Sequence, residues 1–179
     1  MNGVEKVLID EQTLTKKVHE MAQQITADYK DKPLLIVGIL KGSVPFMADL
    51  FRLIDLEELS IDFMSVSSYG SGTVSSGRIR ILKDLDVDIA GKNVLIVEDI
   101  VDTGFTLSKL KEMLLLRNPA SLKICTILNK PSRRTTEIDV DYIGFDIPDE
   151  FIIGYGLDYN EKFRNLPYVG VLKREVYEK

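Results

Sequence analysis

Apolar positions change period several times along the chain, and each change marks an element. Over residues 11–29, Leu14, Val18, Met21, Ala22 and Ile25 recur at helical spacing, and Asp10 is placed to cap that helix. Residues 30–33 break it. Residues 34–40 are then apolar apart from Gly38, the pattern of a strand buried on both faces of a parallel sheet. Gly42, Ser43 and Pro45 read as turn, cap and first-turn proline of a helix carrying Phe46, Met47, Leu50, Phe51 and Ile54 on its inner side. Strands are expected at 61–67 and 79–82. Between them, residues 68–77 are almost entirely Ser, Gly, Thr and Tyr and read as a mobile connection. A strand at 93–97 leads through a turn at 101–104 into a helix marked by Leu107, Leu110 and Leu114, which stops before Asn118 and Pro119. Further strands are expected at 122–128, 142–145, 152–154 and 169–172. The alternation predicts an α/β fold with an open, mostly parallel sheet flanked by helices. No linker is long enough to divide residues 1–179, so a single domain is expected.

Composition narrows the chemistry. The 179 residues carry 23 Lys plus Arg against 28 Asp plus Glu, a net charge of −5, which argues against nucleic acid or an anionic membrane as a bulk-charge partner. The single cysteine, Cys125, lies inside an apolar run and reads as a buried strand thiol. The single histidine, His19, falls in the first helix, so no histidine cluster is available for zinc and a Ser-His-Asp site would rest on that one ring. No stretch reaches the roughly 18 apolar residues of a membrane span, and residues 1–10 lack the apolar core of a leader. A soluble cytoplasmic protein is the expectation.

Ligands of open α/β sheets bind at the carboxyl ends of strands. After Val97 come Glu98, Asp99, Ile100, Val101, Asp102, Thr103, Gly104, Phe105 and Thr106. Three carboxylates in five residues are costly unless cations or hydroxyl donors answer them. Thr103, Gly104 and Thr106 supply hydroxyls and permissive backbone where free N–H groups at a helix start favour a phosphate. The combination points to a phosphorylated sugar with its diol and Mg²⁺. On pattern alone an alternative stands, in which Asp102 only caps the helix and Glu98 and Asp99 are solvated. Other phosphate motifs fail: Lys41 precedes Gly42 instead of following it, and the Gly70, Gly72 pair is followed by Ser75 where a third glycine belongs.

Residues 94–107, VLIVEDIVDTGFTL, closely resemble the signature of type I phosphoribosyltransferases, which transfer ribose 5-phosphate from PRPP to a nitrogenous base. The form Glu98-Asp99-x-x-Asp102-Thr103-Gly104 is similar to the hypoxanthine-guanine branch. So, in order, are Leu40-Lys41-Gly42-Ser43, Ser68-Tyr69, Lys130 and residues 151–164, FIIGYGLDYNEKFR. The resemblance implies the type I fold with a small hood formed by the terminal segments and a flexible lid. It implies that Glu98 and Asp99 meet the ribose hydroxyls and help to hold Mg²⁺. Asp102, Thr103, Gly104, Phe105, Thr106 and Leu107 would wrap the 5′-phosphate. Phe105 stands where relatives vary, with little consequence expected for a cradle made of backbone. Lys41 and Gly42 would contact pyrophosphate, next to a cis peptide between Leu40 and Lys41; by itself Lys41 reads as a solvated turn lysine. Arg164 would also bind pyrophosphate, and Ser68 and Tyr69 would root the lid.

On the purine side, the resemblance implies that Lys130 donates to the 6-oxo group, Phe151 stacks on the ring and Ile152 offers its backbone. Asp158 would border that pocket and make a second metal contact through water. Asp102 would exchange a proton with purine N7. Arg133 and Arg134 read as surface charge. Expected partners are PRPP and a 6-oxopurine, with Mg²⁺ as cofactor and a homodimer or homotetramer as assembly. The alternatives are a PRPP-binding regulatory protein without turnover and a phosphoribosyltransferase for another base such as xanthine.

Overall fold

In chain order the elements are β1 (Val4–Ile9), α1 (Glu11–Asp28), β2 (Leu34–Leu40), α2 (Val44–Phe51), β3 (Leu59–Ser68), β4 (Ile79–Lys83) and β5 (Asn93–Val101). They continue with α3 (Phe105–Leu115), β6 (Ser121–Asn129), β7 (Tyr142–Asp146), β8 (Ile152–Ile153), β9 (Val169–Leu172) and the short α4 (Arg174–Tyr177). The structure, a computed structural model, describes residues 3–68 and 79–178. The expected lid residues after Ser68, Tyr69 among them, lie outside the described residues.

The strands form a six-stranded sheet in the order β4-β3-β2-β5-β6-β7, parallel except for β4, and a three-stranded antiparallel sheet in the order β1-β9-β8. The apolar run of β2 sits near the middle of the large sheet with alternate residues in two cores. Leu34 and Ile36 join α1 and α2 on one face, while Leu35, Val37 and Ile39 join α3 residues Leu107, Leu110 and Leu114 on the other. Burial on both faces explains why the run shows no polar alternation. Asp10 caps α1 as expected, its Oδ1 accepting from Thr13 N at 2.7 Å. Cys125 is buried within β6 and His19 lies exposed on α1. Among the described residues no helix is long and apolar enough to cross a membrane.

Two features depart from the pattern reading. Strand β1 was not apparent, because its partner β9 lies at the other end of the chain and only half of its residues are shielded. Strand β5 continues past Val97 to Val101, paired with β6 through Glu98↔Thr126, Ile100↔Leu128 and Val101↔Asn129. The acidic pair is therefore held inside a hydrogen-bonded strand end and not on a loose turn.

Candidate active site

The loop from Asp102 to Gly104 is clamped from behind. Gly104 takes φ +81, and a Cβ there would meet the Thr136 carbonyl at 2.8 Å and Arg134 Cδ at 3.0 Å, so both conformation and space require glycine. Thr103 O accepts from Thr135 N and Thr136 N, each at 3.1 Å, and Val101 O accepts from Lys130 N at 2.9 Å. Arg134 is no surface charge: Nε donates to Asp102 O at 3.2 Å, and Nη2 donates to Val101 O at 3.4 Å and to Asn129 Oδ1. Its guanidinium staples the loop to the end of β6. Beyond the loop, α3 has no side-chain cap, which leaves its leading N–H groups for an anion. Phe105 N has a weak partner, Thr103 Oγ1 at 3.4 Å. These groups border a pocket of about 260 Å³ lined by Glu98, Asp102, Thr103, Gly104, Thr106 and Leu107 among others; Phe105 is not in the lining.

At the strand end, Asp99 Oδ1 accepts from Ile100 N at 2.6 Å, while Glu98 Oε2 is buried without a partner among the described residues. Burial first, and then the neighbouring Asp99 charge, push the Glu98 carboxyl well above its usual range. Burial also raises Asp99, opposed by the Ile100 N–H and by the Arg164 charge. Of the two, Asp99 feels the Arg164 charge, whereas for Glu98 burial and the Asp99 charge act in the same direction. Mg²⁺ prefers one or two carboxylates together with substrate oxygens, and an orphaned carboxylate oxygen beside a second raised carboxyl fits that arrangement. Among the described residues no group of three or more acidic, His or Cys side chains gathers as a self-sufficient metal cage.

Lys41 and Gly42 approach from the end of β2. The Leu40–Lys41 peptide is cis. A Cβ on Gly42 would strike the Asp99 carboxylate, and one on Gly156, at φ +101, would strike the Gly42 carbonyl. Two glycines thus let three segments meet. Arg164 Nη1 donates to Gly156 O at 2.7 Å and Nη2 lies 2.8 Å from Asp158 Oδ1. Glu161, which no local sequence pattern singles out, joins Arg164 and Lys41.

A second pocket, of about 480 Å³, is lined by Asp102, Lys130, Arg133, Phe151, Ile152 and Asp158, with Tyr177 at its C-terminal edge. Lys130 is buried and its Nζ donates to Glu150 O at 3.0 Å. Phe151 is 37% exposed, with Tyr159 edge-on at 5.6 Å and Tyr177 stacked at 4.9 Å. Ile152 is buried in β8, its side chain part of the core. Arg133 is exposed, as expected of surface charge, yet it also lines this pocket, with Nε 3.4 Å from Asp102 Oδ1. Nothing in the local pattern announced Tyr177 or Arg133. Ile100 and Asp102 line both pockets, so the two cavities adjoin at that strand end.

The uncapped start of α3, the buried carboxylate pair and the adjoining aromatic-lined pocket lie together at the carboxyl ends of interior strands of an α/β sheet. Residues 7–160 match the model of the phosphoribosyl transferase domain. The chain is 54% identical over 177 residues to the hypoxanthine-guanine phosphoribosyltransferase of Bacillus subtilis, covering 99% of this chain and 98% of that one. It is 53% identical over 178 residues to the corresponding protein of Streptococcus agalactiae serotype V, with coverage of 99% and 98%. A crystal structure of a hypoxanthine phosphoribosyltransferase from Staphylococcus aureus superposes with a TM-score of 0.96 at 52% identity, covering 99% of this chain and 96% of that one. The chain belongs to the phosphoribosyltransferase family, in its hypoxanthine-guanine branch.

Proposed function

We propose that this chain transfers the 5-phosphoribosyl group of PRPP to hypoxanthine or guanine, forming IMP or GMP and pyrophosphate. The observation that carries the reading is Asp102, which borders both pockets. A base in the larger pocket and a ribose held from the smaller one would meet beside its carboxylate.

The residues divide the work by chemistry. The α3 amides, with Thr103 and Thr106, receive the 5′-phosphate. Glu98 and Asp99 receive the ribose hydroxyls and, with the substrate's own oxygens, would hold Mg²⁺; Asp158 borders the pyrophosphate side for a contact through water. When bound, that ion supplies positive charge to the departing pyrophosphate. Lys41 and Arg164 add theirs as negative charge develops on the leaving oxygen. Asp102 accepts or returns the proton at purine N7, within the general acid–base repertoire of a positioned carboxylate. Lys130 selects the base, because an ammonium donates to a 6-oxo group and cannot accept from a 6-amino group. Phe151 supplies the stacking face, and Ile152 its backbone. A cytoplasmic homodimer or homotetramer is part of the same proposal and follows from the family resemblance.

The test is a spectrophotometric assay of IMP formation from PRPP and hypoxanthine with and without excess EDTA. IMP with Mg²⁺ and none with EDTA is expected. PRPP binding without any nucleotide formed would favour a regulatory protein instead.

A further inference from the structure

Lys41 and Arg164, the cations given to pyrophosphate above, converge on one carboxylate. Glu161 Oε2 accepts from Lys41 Nζ at 3.1 Å and Oε1 accepts from Arg164 Nη2 at 3.3 Å, joining segments 120 residues apart. Two oxygens of one anionic group bridging two cations is what a pyrophosphate would do there. The backbone beneath the carboxylate is fixed. Asn160 and Glu161 have φ of 51 and 60, Tyr159 and Lys162 exchange backbone hydrogen bonds of 3.1 Å, and Glu161 N donates to Asp158 Oδ2 at 2.8 Å. The side-chain contacts themselves are weak. Lys41 and Glu161 side chains are 67% and 65% exposed, and exposed ion pairs contribute little and open readily. Arg164 meanwhile keeps a buried Nε without a partner among the described residues, a donor not consumed by the carboxylates around it.

We propose that Glu161 is a positioning residue that stands in for pyrophosphate. It holds Lys41 and Arg164 convergent in the unliganded enzyme, yields them when the pyrophosphate of PRPP arrives, and competes for them again as the product leaves. The inference rests on the assignment of Lys41 and Arg164 to pyrophosphate. A rigid turn carrying an easily opened contact suits this role: the carboxylate returns to one place, yet no large barrier opposes its displacement. Glu161 would thus weaken the hold on the leaving group by a modest factor and speed its release.

The experiment is product inhibition by inorganic pyrophosphate, read together with both substrate KM values, for wild type, E161Q and K41Q. E161Q removes both ion pairs of Glu161, which frees Lys41 and leaves Arg164 with Asp158 and the Gly156 carbonyl, so E161Q is expected to bind pyrophosphate about 2- to 10-fold tighter. The KM for PRPP should fall, the KM for hypoxanthine should stay unchanged, and the difference should shrink at high ionic strength. Thermal melting confirms folding, which an exposed Glu→Gln change leaves intact. Unchanged or weaker pyrophosphate binding by E161Q, with K41Q impaired, overturns the stand-in role while leaving the site assignment standing. Parallel changes in all constants would mean a merely structural role and overturn it too. Pyrophosphate binding insensitive to K41Q overturns the assignment and the inference together.

Discussion

Replacing Lys130 by Met removes one charge and keeps most of the apolar stem. The side chain is 9% exposed, its Nζ gives one hydrogen bond of 3.0 Å to Glu150 O, and Asp149 Oδ1 lies at 3.8 Å. In the folded chain without ligand the loss is one hydrogen bond, about 1 kcal/mol net. In the complex the loss is a charged donor to the purine carbonyl, worth about 1.5–3 kcal/mol. At about 1.4 kcal/mol per tenfold, the KM for hypoxanthine should rise roughly 10- to 150-fold. The KM for PRPP should move less than about threefold, because Lys130 lines the larger pocket and not the smaller one. Discrimination against adenine should narrow as well, since the donor that rejects an amino group is gone. Initial rates with each substrate varied at saturation of the other read all three quantities, and a thermal melt confirms folding. Equal losses toward both substrates, or an unchanged hypoxanthine KM, would refute the assignment.

Asp102→Asn should lower kcat by about 10²- to 10⁴-fold with little change in PRPP affinity, because the proton acceptor is lost and its size is kept; isothermal titration with PRPP beside a turnover assay checks both, and unchanged turnover removes the role. Gly42→Ala places a methyl group against the Asp99 carboxylate. Forcing atoms into a filled site costs about 1–3 kcal/mol, and at roughly 2–4 °C per kcal/mol for a chain of this size the fall in Tm is measurable. A carboxyl whose folded pKa lies above its unfolded one favours folding at low pH and costs stability above that folded value. Glu98 is such a group, so Glu98→Gln should raise the Tm of the ligand-free chain at neutral pH. The gain should vanish as pH falls toward the ordinary glutamate value of 4.5, and a gain that grows on acidification would contradict the sign.

The chemistry of the site was readable where it is local. Glu98 to Leu107 form one unbroken segment whose residue types point to a diol, a cation and a phosphate as the proposed ligands, and the strand and helix around them announce themselves by period. Two faces of burial made β2 and β5 visible as apolar runs. What stayed hidden depends on tertiary partners. Glu98 and Asp99 end the apolar run, yet ladder bonds to β6 carry the strand onward to Val101. Arg134 looked like solvated charge because its acceptors are carbonyls of the Val101–Asp102 turn and an amide on β6, none of which a local pattern shows. Glu161 lies in the same short stretch as Asp158 and Arg164, but only the approach of Lys41 gives its carboxylate a purpose. Strand β1 needs β9, from the opposite terminus, before its half-exposed sequence makes sense. His19 and Cys125 show the converse: each is the single residue of its type, one exposed on α1 and one packed in the core, and each lies away from both pockets.

The central claim is that Asp102 and Lys130 select a 6-oxopurine and join it to ribose 5-phosphate. The most direct measurement presents hypoxanthine, guanine, adenine and xanthine separately to the protein with PRPP and Mg²⁺ and identifies the nucleotides by chromatography. The account predicts IMP and GMP with stoichiometric pyrophosphate and no AMP; AMP without IMP or GMP would contradict it.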